Sequence, residues 1–315
     1  MDRLGPPLAE PVFDTLAIVG VGLIGSSIAR AARRLRAARR IVLSGRSQAT
    51  LDRAMALSLG DEATLDLAKA AAGADCVILC APVGANEAIG RAIAPALKPG
   101  AIVSDVGSVK GAVVAALAPL MPQGAHLVPA HPVAGTEQSG PDAGFATLFI
   151  NRWCILTPEE ATDPNAIARV AALWQAFGSN VETMTAEHHD LVLAITSHLP
   201  HLIAYNIVGT AADLEDTLRK EVIKFSAGGF RDFTRIAASD PTMWRDVFLN
   251  NKDAVLEMLG RFNEDLTALQ RMIRRGDGDG LFKLFARTRT IRRGIVEMGQ
   301  ETAAPDFGRR AAEAD

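Results

Sequence analysis

An α/β fold is predicted, with a doubly wound parallel sheet in the N-terminal part and an all-helical C-terminal part. Three observations predict it. A short apolar run enters a glycine-spaced turn and then an Ala-rich helix, in LAIVGVGLIGSSIARAARR from Leu16. Further apolar runs of strand length alternate with Ala-rich helical stretches up to about Leu156. Beyond Met184 the pattern changes to long segments of helical period. The 315 residues exceed what one core usually holds. Two domains are therefore expected, at residues 14–184 and 185–300, with 1–13 and 301–315 as flexible tails.

Leu16 to Val19 is the first strand. Gly20, Gly22 and Gly25 follow with G-x-G-x-x-G spacing, and Leu23 and Ile24 lie between them. The first glycine permits the tight turn, the second lets a pyrophosphate approach the backbone, and the third lets helix pack against strand. The helix N-terminus offers unpaired N–H groups to the phosphates. Strand, turn and helix in this order predict a Rossmann domain that binds a dinucleotide.

The second strand, Ile41 to Leu43, runs into Ser44, Gly45, Arg46 and Ser47. An NAD site usually places an acid here to bind the ribose hydroxyl. This chain has none. Arg46, flanked by Ser44 and Ser47, suits a 2′-phosphate, so the expected cofactor is NADP or NAD with a lean to NADP. A solvent-facing Arg46 with NAD held through other contacts is the alternative. Arg30, Arg33, Arg34, Arg36, Arg39 and Arg40 crowd into the preceding Ala-rich helix and read as its solvated face.

Four more strands are expected: Asp75–Pro82, Ala101–Ser104, Leu127–Ala130 and Trp153–Leu156, with a short edge strand at 180–184. Ligands of such sheets bind beyond the carboxyl ends of the strands. Pro82, the SDVGSVK loop from Ser104 to Lys110, and His131 all fall there. His131 stands in HLVPAHPVAGTEQSG, where an apolar run delivers it to a Pro-Gly-rich loop. It is the first candidate for proton transfer, against the alternative of a satisfied structural histidine.

The second half reads as helix. One long apolar helix runs from Ala186 to about Ala212, a second opens at Asp240-Pro241 and continues to about Arg275, and a third spans Leu281 to about Met298. Leu191 to Val208 is too apolar to face solvent, so a homodimer through these helices is expected. His198 and His201, three apart in TSHLPHLIAYN, share a helix face. No third ligand at suitable spacing accompanies them, so no metal is expected. In FSAGGFRDFTRIAASDPTMWRD, Gly228-Gly229 predicts a loose turn, with Arg231, Asp232, Arg235 and Trp244 beside it. An Arg close to such a turn is placed to hold a carboxylate, or to sit in a structural ion pair.

Composition excludes several classes. A net charge of −3 leaves no footprint for nucleic acid or a membrane surface. Cys76, Cys80 and Cys154 lie in apolar runs without a CxxC pair, which suits free buried thiols in a reducing compartment. The N-terminus lacks the basic start and apolar core of a signal peptide, and a cytoplasmic location is expected. Residues 191–212 carry no Asp, Glu, Lys or Arg, but His198, Pro200, His201 and Asn206 argue for a helix buried in protein rather than a membrane span.

Taken together, GVGLIG, DVGSVK, HPVAGTE, SHLPH and GGFRDFTRIAASDPTMWRD resemble the prephenate and arogenate (cyclohexadienyl) dehydrogenases of tyrosine biosynthesis, from about Leu16 to Gln300. The resemblance implies oxidative decarboxylation of a cyclohexadienol with hydride transfer to NAD(P). It implies that His131 accepts the proton of the ring hydroxyl, that Ser108 holds both hydroxyl and imidazole, and that Lys110 supports the loop. It also implies that Arg235 binds a substrate carboxylate, with His201, His198, Glu137, Trp244 and Gly228 lining the pocket. Ser108 is also expected near the nucleotide, with Pro82. Neither a fused chorismate mutase nor an appended regulatory domain is expected. Two rivals are a 3-hydroxyacid dehydrogenase using Lys224 and a non-catalytic NADP sensor. The first has no use for the HPVAGTE loop, and the second no use for Ser108, His131 and Arg235 together.

Overall fold

A computed structural model describes residues 4–136, 138–213, 221, 224 and 228–297. The chain divides into two compact units, Met1–Val255 and Leu256–Asp315. In the first, β1 (Phe13–Val19), β2 (Ala38–Ser44), β3 (Glu62–Thr64), β4 (Cys76–Leu79), β5 (Ile102–Asp105) and β6 (His126–Leu127) form a parallel sheet in the order β3-β2-β1-β4-β5-β6. The connecting helices are α1 (Leu23–Leu35), α2 (Gln48–Ala56), α3 (Leu67–Ala71), α4 (Asn86–Ile93) and α5 (Lys110–Leu117).

The strands read as continuous apolar runs because both faces are covered. Leu16, Ile18, Ile41, Leu43, Cys76 and Ile78 enter one buried cluster. Their neighbours Ala17, Val19, Val42, Val77, Leu79 and Val103 enter another. The alternation is the two-residue period of a strand turned into two cores. β3 had no signal in the sequence, since Glu-Ala-Thr carries no apolar run.

The expected fifth strand, residues 127–130, is split. His126 and Leu127 stay in the parallel sheet, whereas β7 (Ala130–Pro132) joins a second sheet with β8 (Trp153–Leu156) and β9 (Asn180–Thr183). β7 pairs antiparallel with β8, and β8 parallel with β9. The predicted sixth strand therefore has its expected bounds but belongs to the second sheet. Pro129 marks the break: it has no amide hydrogen for a ladder, and its carbonyl accepts from Thr157 N at 2.9 Å.

Other expectations are also corrected. The N-terminal stretch is not free from Leu4 onward: Leu4 is buried, and the Leu8 and Val12 amides donate to the carbonyls of Leu35 (2.8 Å) and Ala37 (2.9 Å). Apolar side chains at 4, 8 and 12 cover the end of α1, which is what ties the segment down. α1 stops at Leu35, with Arg36 in a left-handed cap, so Arg39 and Arg40 lie on β2 rather than on the helix. The tail at 301–315 lies outside the described residues.

After α6 (Pro164–Ala176), the long apolar helix forms as α7 (Ala186–Leu193), a π turn (Ala194–His198) and α8 (Leu199–Ala212). It was expected to be buried, yet only 28% of its most apolar window is. One face meets the Rossmann core and the other leaves Leu191, Ile195, Ile207 and Val208 exposed. Among the described residues it is the one helix whose length and apolarity would suffice to cross a membrane. Gly228 and Gly229 do not form a loose turn but lie in α9 (Gly228–Thr234), which is followed by a 3₁₀ turn at Arg235–Ala238. Asp240 caps α10 (Pro241–Asn250) as expected, its carboxylate accepting from Met243 N at 2.8 Å. The helix then breaks at Asn251, whose side chain is bonded to Asp190 and His198 of the α7–π segment, before α11 (Lys252–Arg275). The second unit holds most of α11 and α12 (Gly278–Glu297), with Leu266, Ile273, Phe282, Phe285, Ile291 and Ile295 exposed.

The joint between β1 and α1 admits glycine alone. Gly20 has φ +99°, and a Cβ there would run into the Cys80 carbonyl. A Cβ on Gly25 would strike the Gly20 carbonyl oxygen. Gly25→Ala is therefore expected to push α1 off β1 and cost about 1–3 kcal/mol, the range of an overpacked core. Thermal melting checks this, and an unchanged Tm would show that the joint relaxes freely.

Candidate active site

The carboxyl edge of the parallel sheet gathers the candidate groups. The cradle after β1 lies against Cys80 at the end of β4, and the loop after β5 is bonded to β4 through Val106 N and Leu79 O, 3.2 Å apart. At the cradle, Gly22 caps α1 without any side-chain bond to the helix amides. A Cβ on Gly22 would meet nothing within 4 Å. Backbone N–H groups therefore face open space at a positive helix end, which fits a pyrophosphate. Ser44 is buried at the end of β2 with its hydroxyl unpartnered, and Pro82 is exposed after β4. Arg46 is exposed and makes no ion pair with a described residue. Ser47 does not turn its hydroxyl to Arg46: it caps α2, accepting from Thr50 N at 3.4 Å.

The loop after β5 is anchored by a buried ion pair. Lys110 Nζ lies 2.5 Å from Asp105 Oδ2, with the two side chains 0% and 1% exposed. Asp105 also accepts from Gly107 N (2.7 Å) and Ala130 N (3.2 Å), and Lys110 Nζ donates to the Ala130 carbonyl (2.7 Å). Burial lowers the Lys110 pKa, and the Asp105 carboxylate opposes that shift. The expected support from Lys110 thus reaches the residue next to His131 and not only the loop.

His131 is 7% exposed, and its Nδ1 lies 2.8 Å from His189 Nε2. Burial first, then the charges of His189, Lys110 and His198, push its pKa well below the usual imidazole value. The ring is held by His189 and not, as expected, by Ser108, which is half-buried just before α5 and has no bond to it. His189 in turn meets Asp190 Oδ1 through Nδ1 at 2.8 Å. The Asp190 carboxylate accepts from the first two amides of α5, Lys110 N (2.7 Å) and Gly111 N (2.8 Å).

A second group surrounds Trp244. His201 stacks on the indole with centroids 3.6 Å apart, and His198 meets it edge-on at 6.1 Å. His201 Nδ1–H donates to the Ser197 carbonyl at 2.8 Å. Its pKa is lowered by burial, opposed by that bond, and lowered further by the positive charge of Arg235. Trp244 is itself buried with Val109 and Val247. His198 was expected to line a pocket but is fully buried, and its Nδ1 accepts from Asn251 Nδ2 at 3.1 Å. Its shared face with His201 serves packing against Trp244. Gly228 lies in α9 and Glu137 lies outside the described residues. Lys224, the alternative acid–base group, is exposed. No cluster of three metal-ligating side chains exists among the described residues.

His189, Asp190, Asp105 and Asn251 escaped sequence reasoning. The one available signal was EHHD at 187–190, polar residues opening an otherwise apolar helix.

A nucleotide cradle on the same sheet edge as a buried neutral imidazole defines a dinucleotide-dependent oxidoreductase. The chain's relatives narrow that class. Residues 28–183 match the prephenate dehydrogenase nucleotide-binding domain, and residues 185–287 match the prephenate dehydrogenase dimerization domain. The cyclohexadienyl dehydrogenase of Zymomonas mobilis is 46% identical over 89% of this chain and 96% of its own length. The prephenate dehydrogenase of Bacillus subtilis is 32% identical over 93% of this chain and 79% of its own. Among solved structures, prephenate dehydrogenase from A. aeolicus, in complex with hydroxyphenyl propionate and NAD+, superposes with a TM-score of 0.85 at 34% identity, covering 91% of this chain and all but 1% of that one, since 99% of it is matched. The chain belongs to the prephenate dehydrogenase family and is an NAD(P)-dependent oxidoreductase of tyrosine biosynthesis.

The buried histidines make stability depend on pH. His131, His189 and His201 have lowered pKa values and His198 is pushed down to about 4, with burial the largest cause in each. Below about pH 6.5 the unfolded chain takes up protons that the fold refuses. Stability is therefore present above that pH and lost as pH falls, by up to about 1.4 kcal/mol per pH unit for each histidine. Tm is expected to fall between about pH 7 and pH 5, and a flat Tm there would contradict the neutral assignments.

Proposed function

We propose that this chain oxidatively decarboxylates prephenate, arogenate or both, giving 4-hydroxyphenylpyruvate or tyrosine. The observation that carries the reading is the buried His131 ring, bonded to His189 and held beside the loop after β5 on the nucleotide-binding edge of the sheet. A neutral imidazole can take the proton of a ring hydroxyl that becomes acidic as hydride departs. The bound nucleotide supplies the hydride acceptor. Gly20, Gly22 and Gly25, with the N-terminus of α1, hold its pyrophosphate, while Leu23, Ile24, Ser44, Pro82 and Ser108 lie along the same edge. Ser108 also holds the substrate hydroxyl.

Arg235 binds a substrate carboxylate next to the His201–Trp244 stack, which supplies a flat wall for the ring. Fixing the anion there orients the reacting carbon, and such positioning can lower a barrier by about 7–11 kcal/mol at most. Loss of carbon dioxide leaves an aromatic ring, so the protein has to align its substrate rather than drive the reaction. Gly228 and Glu137 are further candidates for the substrate side.

Arg46 is the reason to include NADP, since an exposed guanidinium with no ion pair to a described residue suits a 2′-phosphate. The functional division falls between residues 184 and 185. The exposed apolar residues of the second unit, with the dimerization-domain match, support a homodimer through the C-terminal helices. A cytoplasmic enzyme with no nucleic-acid or membrane partner suits the chain's charge.

Four mixtures test the reading: prephenate or arogenate, each with NAD or NADP, followed by nucleotide absorbance and carbon dioxide release. Turnover is expected in at least one mixture, and silence in all four from folded, nucleotide-binding protein would overturn it. His131→Asn should leave nucleotide affinity intact and lower kcat about 10²–10⁴-fold, the usual contribution of a positioned base. Arg235→Gln should chiefly raise the substrate KM. Arg46→Ala should weaken NADP more than NAD, and equal effects on both would remove the 2′-phosphate role.

A further inference from the structure

We infer that His189 is a positioning residue that sets the tautomer of His131, leaving Nε2 of His131 unprotonated and available as the base. The inference rests on the proposed reading of His131 and extends it to a residue outside the substrate pocket.

The positions of the protons follow one by one from Asp190. Its Oδ1 and Oδ2 accept the Lys110 and Gly111 amides, the first two N–H groups of α5. A helix N-terminus favours a negative charge there, and an ionised carboxylate can only accept. His189 Nδ1, 2.8 Å from Asp190 Oδ1, is therefore the donor of that bond. Burial keeps the His189 ring neutral, so its Nε2 carries a lone pair. His131 Nδ1, 2.8 Å from that lone pair, must in turn donate. Neutral His131 then has one unprotonated nitrogen left, Nε2.

The surroundings maintain this order. Among the described residues, the charges that act on the two rings include Lys110, Asp105 and Asp190, and His198 and the Cys154 thiol, the latter bonded to the His131 backbone, are further titratable neighbours. Lys110 and Asp105 are bonded to each other, and Asn251 Nδ2 donates to both the Asp190 carbonyl and His198 Nδ1. His189 itself is fully buried, with Nδ1 bonded to Asp190 and Nε2 to His131, so turning its ring would break both bonds. When His131 takes the substrate proton on Nε2, its Nδ1–H bond to His189 becomes charge-assisted and stronger. The interaction therefore favours the protonated form that the reaction creates.

The test is steady-state kinetics of the full chain on whichever substrate and nucleotide it turns over. His189→Leu removes the acceptor and should lower kcat about 100-fold, with both KM values within about twofold. His189→Gln places a carboxamide oxygen near the lost Nε2 and should recover at least about tenfold of that loss. Imidazole nitrogen NMR of the wild-type protein should show Nδ1 of His131 protonated and Nε2 not. This readout holds even if His189→Leu fails to fold. Wild-type-like kcat in His189→Leu, a folded His189→Gln as slow as His189→Leu, or a protonated Nε2 in the NMR spectrum would each overturn the inference. The underlying reading fails separately, through a fully active His131→Asn.

Discussion

The buried pair of Lys110 and Asp105 is the constraint on which the rest of the site depends. Two opposite charges without water are costly unless each remaining lone pair and proton finds a partner. Here partners surround both groups: Asp105 takes the Gly107 and Ala130 amides, and Lys110 donates to the Ala130 carbonyl. These partners lie on β5, on the loop before α5 and on β7, three segments that no sheet ladder joins into one unit. The pair therefore performs the work of a ladder across the point where Pro129 splits the strand. His131 is the next residue along the chain, so its position follows from this pair more than from the strand that carries it.

The same burial determines the chemistry of the histidines. A charged imidazole in this interior would lack solvent and would face the Lys110 ammonium, so the neutral form prevails. Neutrality makes His131 usable as a base but leaves open which nitrogen holds the proton. Asp190 resolves that choice at a distance, because the amides at the start of α5 have already assigned it the role of acceptor. One helix terminus thus receives a carboxylate on its first amides and, through it, orders two imidazoles.

The helical part shows how a single chain covers only part of its apolar surface. α7 packs one face on α5 of the Rossmann core, and Asn251 anchors the segment through Asp190 and His198. The opposite face keeps Leu191, Ile195, Ile207 and Val208 in the open. A helix of that composition is comfortable only with a further apolar surface against it. The residues that build the site and those that remain exposed therefore alternate around the same helix, which ties the substrate side to the proposed homodimer.

Much of this was legible in the residues themselves. The Rossmann strands, the glycine turn, the helical second half and the candidacy of His131 follow from local rules: apolar period, the need for φ above zero at Gly20, and the reactivity of imidazole near neutral pH. Arg235 was legible as an Arg suited to a carboxylate and the SHLPH histidines as one helix face, but their specific roles came from the family resemblance and remain proposals. Tertiary structure alone decided the rest. Pro129 sends half of a predicted strand to a second sheet, Ser47 caps a helix instead of flanking a phosphate, and His198 is buried against Asn251 rather than exposed to a ligand. His189 and Asp190 lie 58 and 85 residues from His131 and Asp105 along the chain, the first separation being that of the hydrogen-bonded pair and the second following from the two residue numbers. Periodicity and motif spacing report what neighbours in sequence share. Which buried donor meets which buried acceptor is settled only when distant segments pack, because a group removed from water must find its partner in whatever the fold brings near.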